Sequence, residues 1–231
     1  MTDKTALIIG ASRGIGLGLV KELVGRGWSV VATRRSPASD KGLQAFADAS
    51  GGKVLIEPLD MEDPAQITAL ASKLCDETLD LVFVNAGIGG NHADLSEISR
   101  DDVTTMFVTN VVAPMQIVKA LEGRVKDGGV IALMSSGLGS VAAEFHMGLI
   151  MYPASKAALN KLTRDFTATL DKERNLTVLS MSPGWVKTDM GGPSAMITVD
   201  ESAKGMIDVV EAKAGTGQHG FYGHKGETIP W

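Results

Sequence analysis

The 231-residue chain has a single cysteine, Cys75, which excludes an internal disulfide framework, and no clustered Cys/His spacing suggests a structural metal. That usage fits a reducing compartment. It also has no long basic block, and its formal net charge is −5, so the electrostatic footprint of a general nucleic-acid binder is absent. The opening "MTDKTALIIG" carries too short an apolar run for a signal peptide or membrane span and meets glycine at once. A cytoplasmic protein that does not engage membranes is the expectation. There is no Ser/Gly/Pro-rich linker, no repeat and no low-complexity tract, so one domain over 1–231 is expected. Hydrophobic residues make up 44% of the chain, enough for a substantial core.

That apolar material falls into short β-type runs at 5–10, 29–33, 53–60, 79–87, 128–136, 176–184 and, more weakly, 217–223. Most are apolar throughout, the pattern of strands buried on both faces. Between them lie helical stripes such as Ile15, Leu19, Leu23 and Leu159, Leu162, Phe166, Leu170. Alternation of this kind implies right-handed crossovers and a mostly seven-stranded parallel sheet covered on both sides, a doubly wound Rossmann-type α/β fold. Ligands of such sheets bind beyond the carboxyl ends of the strands, where the irregular stretches 137–151 and 184–199 fall. These are the candidate substrate walls.

"GASRGIG" (10–16) follows the first strand and opens the first helix. Gly10, Gly14 and Gly16 allow a tight turn and close approach of a pyrophosphate, whose charge the free amides of a helix N-terminus stabilise. Ser12 and Ile15 are candidate contacts in the same loop. The spacing is G-x-x-x-G-x-G rather than the commoner G-x-G-x-x-G. An acid at the end of the second strand would accept from an unmodified ribose, but here stand Arg34 and Arg35, whose guanidinium forks suit a 2′-phosphate. Arg13 can reach the same phosphate, and NADPH is favoured over NADH. Asp60 is a candidate acceptor for the adenine amino group or an N-cap for the helix over "MEDPAQITALASKL". Asn85, Ala86 and Gly87, in "VNAG", form a small turn that lets a flat ring and ribose lie close to the backbone.

Taken in order, "GASRGIG", "NAG", "NVVAP" (110–114), "SS" (135–136), "YPASK" (152–156) and "SPGWVKTDM" (182–190) resemble the short-chain dehydrogenase/reductase family over nearly the whole chain. The later part further resembles the branch of C-factor-like proteins and sniffer-type carbonyl reductases. The resemblance implies a catalytic set of Asn110, Ser136, Tyr152 and Lys156. Residues four apart on a helix share a face, so Lys156 can hold its ammonium near the Tyr152 hydroxyl and lower its pKa from about 10. Pro153 is tolerated in a first helical turn. In reduction, Tyr152 protonates the carbonyl oxygen that Ser136 holds, hydride comes from the nicotinamide, and Asn110 binds a water that relays protons to Lys156. Ser135 competes for the serine role, and the stretch from Ser136 to Tyr152 is longer than the common pattern. Thr188, with Pro183, Gly184 and Val186, matches the segment that contacts the cofactor's carboxamide or phosphates.

Phe145, Met147, Leu149, Ile150 and Met151 in one irregular stretch, and Trp185, Met190 and Met196 in the other, suggest an apolar, adaptable pocket for aldehydes and ketones. His146 has no visible partner and reads as structural or surface. A signalling protein that kept the fold without useful turnover is the alternative, and the four-residue catalytic set argues against it. The family commonly pairs through helices here containing 100–122 and 152–172, which implies a homodimer or homotetramer.

Overall fold

Each buried run becomes a strand and each amphipathic run a helix in the computed structural model, which describes residues 4–75, 77–90, 94–143 and 148–231. The first half runs β1 (Thr5–Ile9), α1 (Gly14–Gly25), β2 (Ser29–Arg34), α2 (Leu43–Ala49), β3 (Val54–Pro58) and α3 (Pro64–Lys73). Next come β4 (Leu79–Val84), α4 (Arg100–Phe107), a π-helical turn at Val108–Val112 and α5 (Ala113–Leu121). The chain continues through β5 (Val125–Met134), α6 (Met151–Thr167), β6 (Thr177–Ser182), α7 (Val199–Lys213) and β7 (His219–Gly223).

The strands form one sheet in the order β3-β2-β1-β4-β5-β6-β7, with every pairing parallel. Strand order reverses between β1 and β4, so the crevice at their carboxyl ends is where this topology places a ligand. Side chains alternate with the period of two that strands impose. Ala6, Ile8, Leu81, Phe83 and Ala132 pack with Leu19 and Leu23 of α1 and Met206 and Ile207 of α7. Leu7, Ile9, Val82, Val84, Ile131 and Leu133 meet Ile67 of α3, Ile117 of α5 and Leu159 and Phe166 of α6 on the other face. Among the described residues no helix is long and apolar enough to cross a membrane.

Three expectations are corrected. Asp60 is not the cap of α3: Asp63 accepts from the Ala65 and Gln66 amides and Pro64 occupies the first turn, where its missing N–H costs nothing. Leu162 does not join the α6 stripe, being 41% exposed, and Leu170 lies beyond the helix end. The segment 100–122 is not one regular helix. Pro114 has no N–H to offer the Asn110 carbonyl four residues back, and the chain passes that point through the π-helical turn.

Candidate active site

The three strand ends at the switch point are tied together by Gly10. Its amide donates to Thr33 Oγ1 at 3.0 Å, and its carbonyl accepts from Asn85 Nδ2 at 2.8 Å. Gly10 has φ of +82°, and a Cβ there would lie 2.6 Å from the Ala86 Cβ, so backbone strain and contact both require glycine. Gly16 packs against the Gly10 carbonyl, Ile15 packs on the core, and Ser12 accepts from the Lys41 amide at 2.9 Å. At the start of α1, Arg13 provides no side-chain cap and the first turn holds no acid, so its amides remain suited to an anion.

Of the three arginines, Arg34 is held by Asp40 and by Gln44, the latter at 2.9 Å. Arg13 pairs with Asp189 at 3.1 Å, and Lys41, which sequence reasoning missed, pairs with the same carboxylate at 2.7 Å. Both cations hold the Asp189 carboxyl below the ordinary aspartate value, Lys41 most strongly. Arg35 is exposed and makes no ion pair among the described residues. Asp60 lies at the end of the β3 segment, its Oδ1 accepting from the Glu62 amide at 3.1 Å. After β6, the Pro183 carbonyl accepts from Ser202 Oγ at 2.7 Å, and Gly184 turns the chain with φ of +80°. Val186 bridges to Ile197, while Thr188 accepts at Oγ1 from the Gly191 amide at 3.0 Å and turns its methyl toward Gly14.

The adjacent serines separate cleanly. Ser135 continues the strand alternation into the core, where its hydroxyl donates to Asn160 Oδ1 of α6 at 2.7 Å. Ser136 begins the short turn Gly137–Gly139, accepts from the Leu138 amide at 3.2 Å and lies near enough to Tyr152 for its hydroxyl to favour the phenolate. Tyr152 sits in the first turn of α6 beside Pro153. One turn on, Lys156 is 3% exposed, donates from Nζ to the Met134 carbonyl at 2.9 Å and lies 5.7 Å from the Tyr152 ring centre. Burial pushes its ammonium down to about 8.

The expected depression of Tyr152 is absent in this arrangement. Burial dominates and holds the phenol above its ordinary value, with the Ser136 hydroxyl acting the other way. Asn110, fully buried in the π-helical turn, is anchored by Ile88: its Oδ1 accepts from the Ile88 amide at 2.8 Å and its Nδ2 donates to the Ile88 carbonyl at 2.9 Å. Gly87 brings this group to the lysine, since a Cβ on it would lie 3.0 Å from Asn110 Oδ1 and 3.4 Å from Lys156 Nζ.

A cavity of about 210 Å³ opens beside Tyr152, lined by Ile88, Gly89, Gly90, Asp102, Thr105, Met106, Ile150 and Met151. Ile150 and Met151 were expected there; the 88–90 and 102–106 walls were not. Trp185, Met190 and Met196 are all exposed, and of the three Met190 reaches the rim, its Cγ within 3.2 Å of where a Gly89 Cβ would stand. Leu149 is half-buried and does not line the cavity, and Phe145, His146 and Met147 lie outside the described residues.

A family model described as short chain dehydrogenase matches residues 4–196. The chain belongs to that family. As a short-chain dehydrogenase it is an oxidoreductase with the doubly wound fold described above. Its sequence is 33% identical to C-signal of Myxococcus xanthus over 71% of this chain and 99% of that protein. A carbonyl reductase from Pseudomonas aeruginosa PAO1, solved in complex with NADP, superimposes with a TM-score of 0.92 at 38% identity, covering 100% of both chains. The carbonyl reductase Sniffer of D. melanogaster gives 0.89 at 29% identity, covering 99% of this chain and 100% of that one.

Proposed function

We propose that this short-chain dehydrogenase is an NADPH-dependent reductase of small, mostly apolar aldehydes and ketones, with the reverse alcohol oxidation using the same groups. The observation that carries the reading is that Tyr152, with Lys156 one helical turn on, lines a cavity whose walls include Ile88, Met106, Ile150 and Met151, and that the Ser136 hydroxyl is near enough to act on the phenol. A carbonyl oxygen placed between those hydroxyls accepts from both. Tyr152, held above its ordinary pKa, keeps its proton near neutral pH and is positioned to deliver it. Lys156, near 8, stabilises the phenolate that results and can return a proton to it. Asn110 orients its amide beside that lysine, the place from which a water would relay protons inward. When bound, NADPH supplies the hydride to the carbonyl carbon.

Residues for the nucleotide are present. The Gly10 turn lets the Asn85–Gly87 turn close against the end of β1 at the crevice, and the uncapped start of α1 suits a pyrophosphate. Gly14, Thr188 and the Asn85–Gly87 turn face the same crevice. Arg13, Arg34, Arg35 and Lys41 are four cations against the two carboxylates of Asp40 and Asp189, a local excess that supports a 2′-phosphate over a bare ribose. Relatives solved with NADP support the same choice. The signalling alternative gives no reason for the Tyr152–Ser136 pair to adjoin a cavity. Val103, Val112 and Leu162 are exposed apolar residues on α4, the π-helical turn and α6, and they support pairing with a second copy through that face.

Titration of NADPH and NADH into the purified protein, followed by a panel of apolar, charged and sugar carbonyls, tests the reading. NADPH is expected to bind more tightly and apolar aldehydes to turn over fastest. Failure to reduce any carbonyl with either nucleotide overturns it.

A further inference from the structure

Ser155, beside the lysine in "YPASK", is fully buried in α6 and has no part in the chemistry just described. Its hydroxyl nevertheless links two members of the catalytic set: it donates to the Tyr152 carbonyl at 2.7 Å, and Asn110 Nδ2 donates to it at 3.1 Å. We infer that Ser155 is a positioning residue that fixes the Asn110 amide relative to the Tyr152 turn, so that Asn110 Oδ1 points to the side of Gly87 where Lys156 Nζ lies.

The direction of each bond follows from the partners. The Ile88 amide can only donate, so the oxygen end of Asn110 must face it, and the nitrogen end must face Ser155. The single Ser155 proton goes back along the helix to the Tyr152 carbonyl, which leaves the hydroxyl oxygen to accept. Asn110 Nδ2 has two protons for three acceptors: the Ile88 carbonyl at 2.9 Å, Met106 Sδ at 3.0 Å and Ser155 Oγ at 3.1 Å. A thioether is the weakest of these, so the two oxygens take the protons. Without the hydroxyl, the planar amide loses one of its two oxygen acceptors and turns as a unit toward the sulfur on the cavity wall, loosening its bonds to Ile88. The oxygen beside Lys156 moves with it.

The consequence rests on the reductase reading, and its test separates the two. Ser155→Ala is expected to lower kcat about tenfold while the KM for NADPH stays within about twofold, because the interaction lost is one that orients the proton path rather than the nucleotide. Placed on an Asn110→Ala background, the same change is expected to add less than about a twofold loss, the signature of two residues acting as one unit. A merely structural serine would instead give additive losses in the two backgrounds. Side-chain amide exchange of Asn110, followed by NMR in wild-type protein and in Ser155→Ala, gives a readout that needs no turnover. Protection in wild type that is lost in the variant supports the link. Rapid exchange in wild type, or additive kinetics, overturns it. If wild type reduces no carbonyl, the function falls, and the exchange measurement still decides the link.

Discussion

Replacing Lys156 with methionine should make the ligand-free protein more stable at neutral pH while abolishing reduction. The ammonium is 3% exposed, with the Met134 carbonyl as its hydrogen-bond acceptor, and burial lowers it from 10.5 to about 8. At about 1.4 kcal/mol for each tenfold change in proton affinity, keeping that charge buried costs the fold roughly 3 kcal/mol. Losing the hydrogen bond returns about 1 kcal/mol of that, so Lys156→Met should gain about 2 kcal/mol at pH 7. Methionine is of similar length and packs readily in irregular space. In a chain of this size the gain corresponds to a rise in Tm of about 4–8 °C.

The pH dependence has a definite sign. Below about 8 both folded and unfolded wild type hold the lysine proton, so the whole penalty is present. Between about 8 and the unfolded value of about 10.4 the folded state releases its proton first, wild type gains stability as pH rises, and the advantage of the variant shrinks. Tyr152, whose raised value makes the folded state resist ionisation, acts in the opposite direction above about 10, so the comparison stops there. Urea unfolding at pH 7, 8.5 and 9.5 reads the gap. A variant less stable than wild type at pH 7, or a gap that does not narrow with pH, refutes the reasoning.

Tyr152→Phe should lower kcat by about 10²–10⁴-fold with NADPH affinity little changed, since only the proton donor is removed; steady-state turnover paired with a binding titration checks it. Ser135→Ala should leave Asn160 Oδ1 without its donor and cost about 1–3 kcal/mol in chemical unfolding while turnover persists. Ser136→Ala should do the reverse, and a larger turnover loss in Ser135→Ala would exchange their roles. Arg35→Ala should weaken NADPH by about tenfold, the range of one charge-assisted phosphate contact, and leave NADH unaffected. Equal losses for both nucleotides would show that Arg35 does not read the phosphate.

What could be read from the chain was local. Tyr152 and Lys156 lie one helical turn apart, and the glycine loop follows its strand directly, so spacing alone implied both placements. The serine choice was within reach as well: the period of two puts Ser135 on the α6 side of the sheet and carries Ser136 off the strand end. The Asp60–Asp63 ambiguity hid a usable signal in Pro64, which marks a first helical turn. Contacts between distant segments left no such trace. Lys41 and Asp189 are 148 residues apart, and the 88–90 and 102–106 walls meet only because the chain returns through α4.

The charge states are the least legible part, because they depend on burial rather than on spacing. Reading lysine beside tyrosine, one expects attraction alone to set the phenol's pKa. In the folded chain Lys156 is buried and Tyr152 half-buried, and loss of water favours the neutral form of each, raising Tyr152 and lowering Lys156. The two effects suit a reduction. A general acid must hold its proton until the carbonyl oxygen takes on charge, and a phenol above its ordinary value does so near neutral pH. The reverse reaction needs the phenolate at the outset, which this burial opposes. On the proposed reductase reading, alcohol oxidation should therefore demand a more alkaline medium than an exposed tyrosine would require.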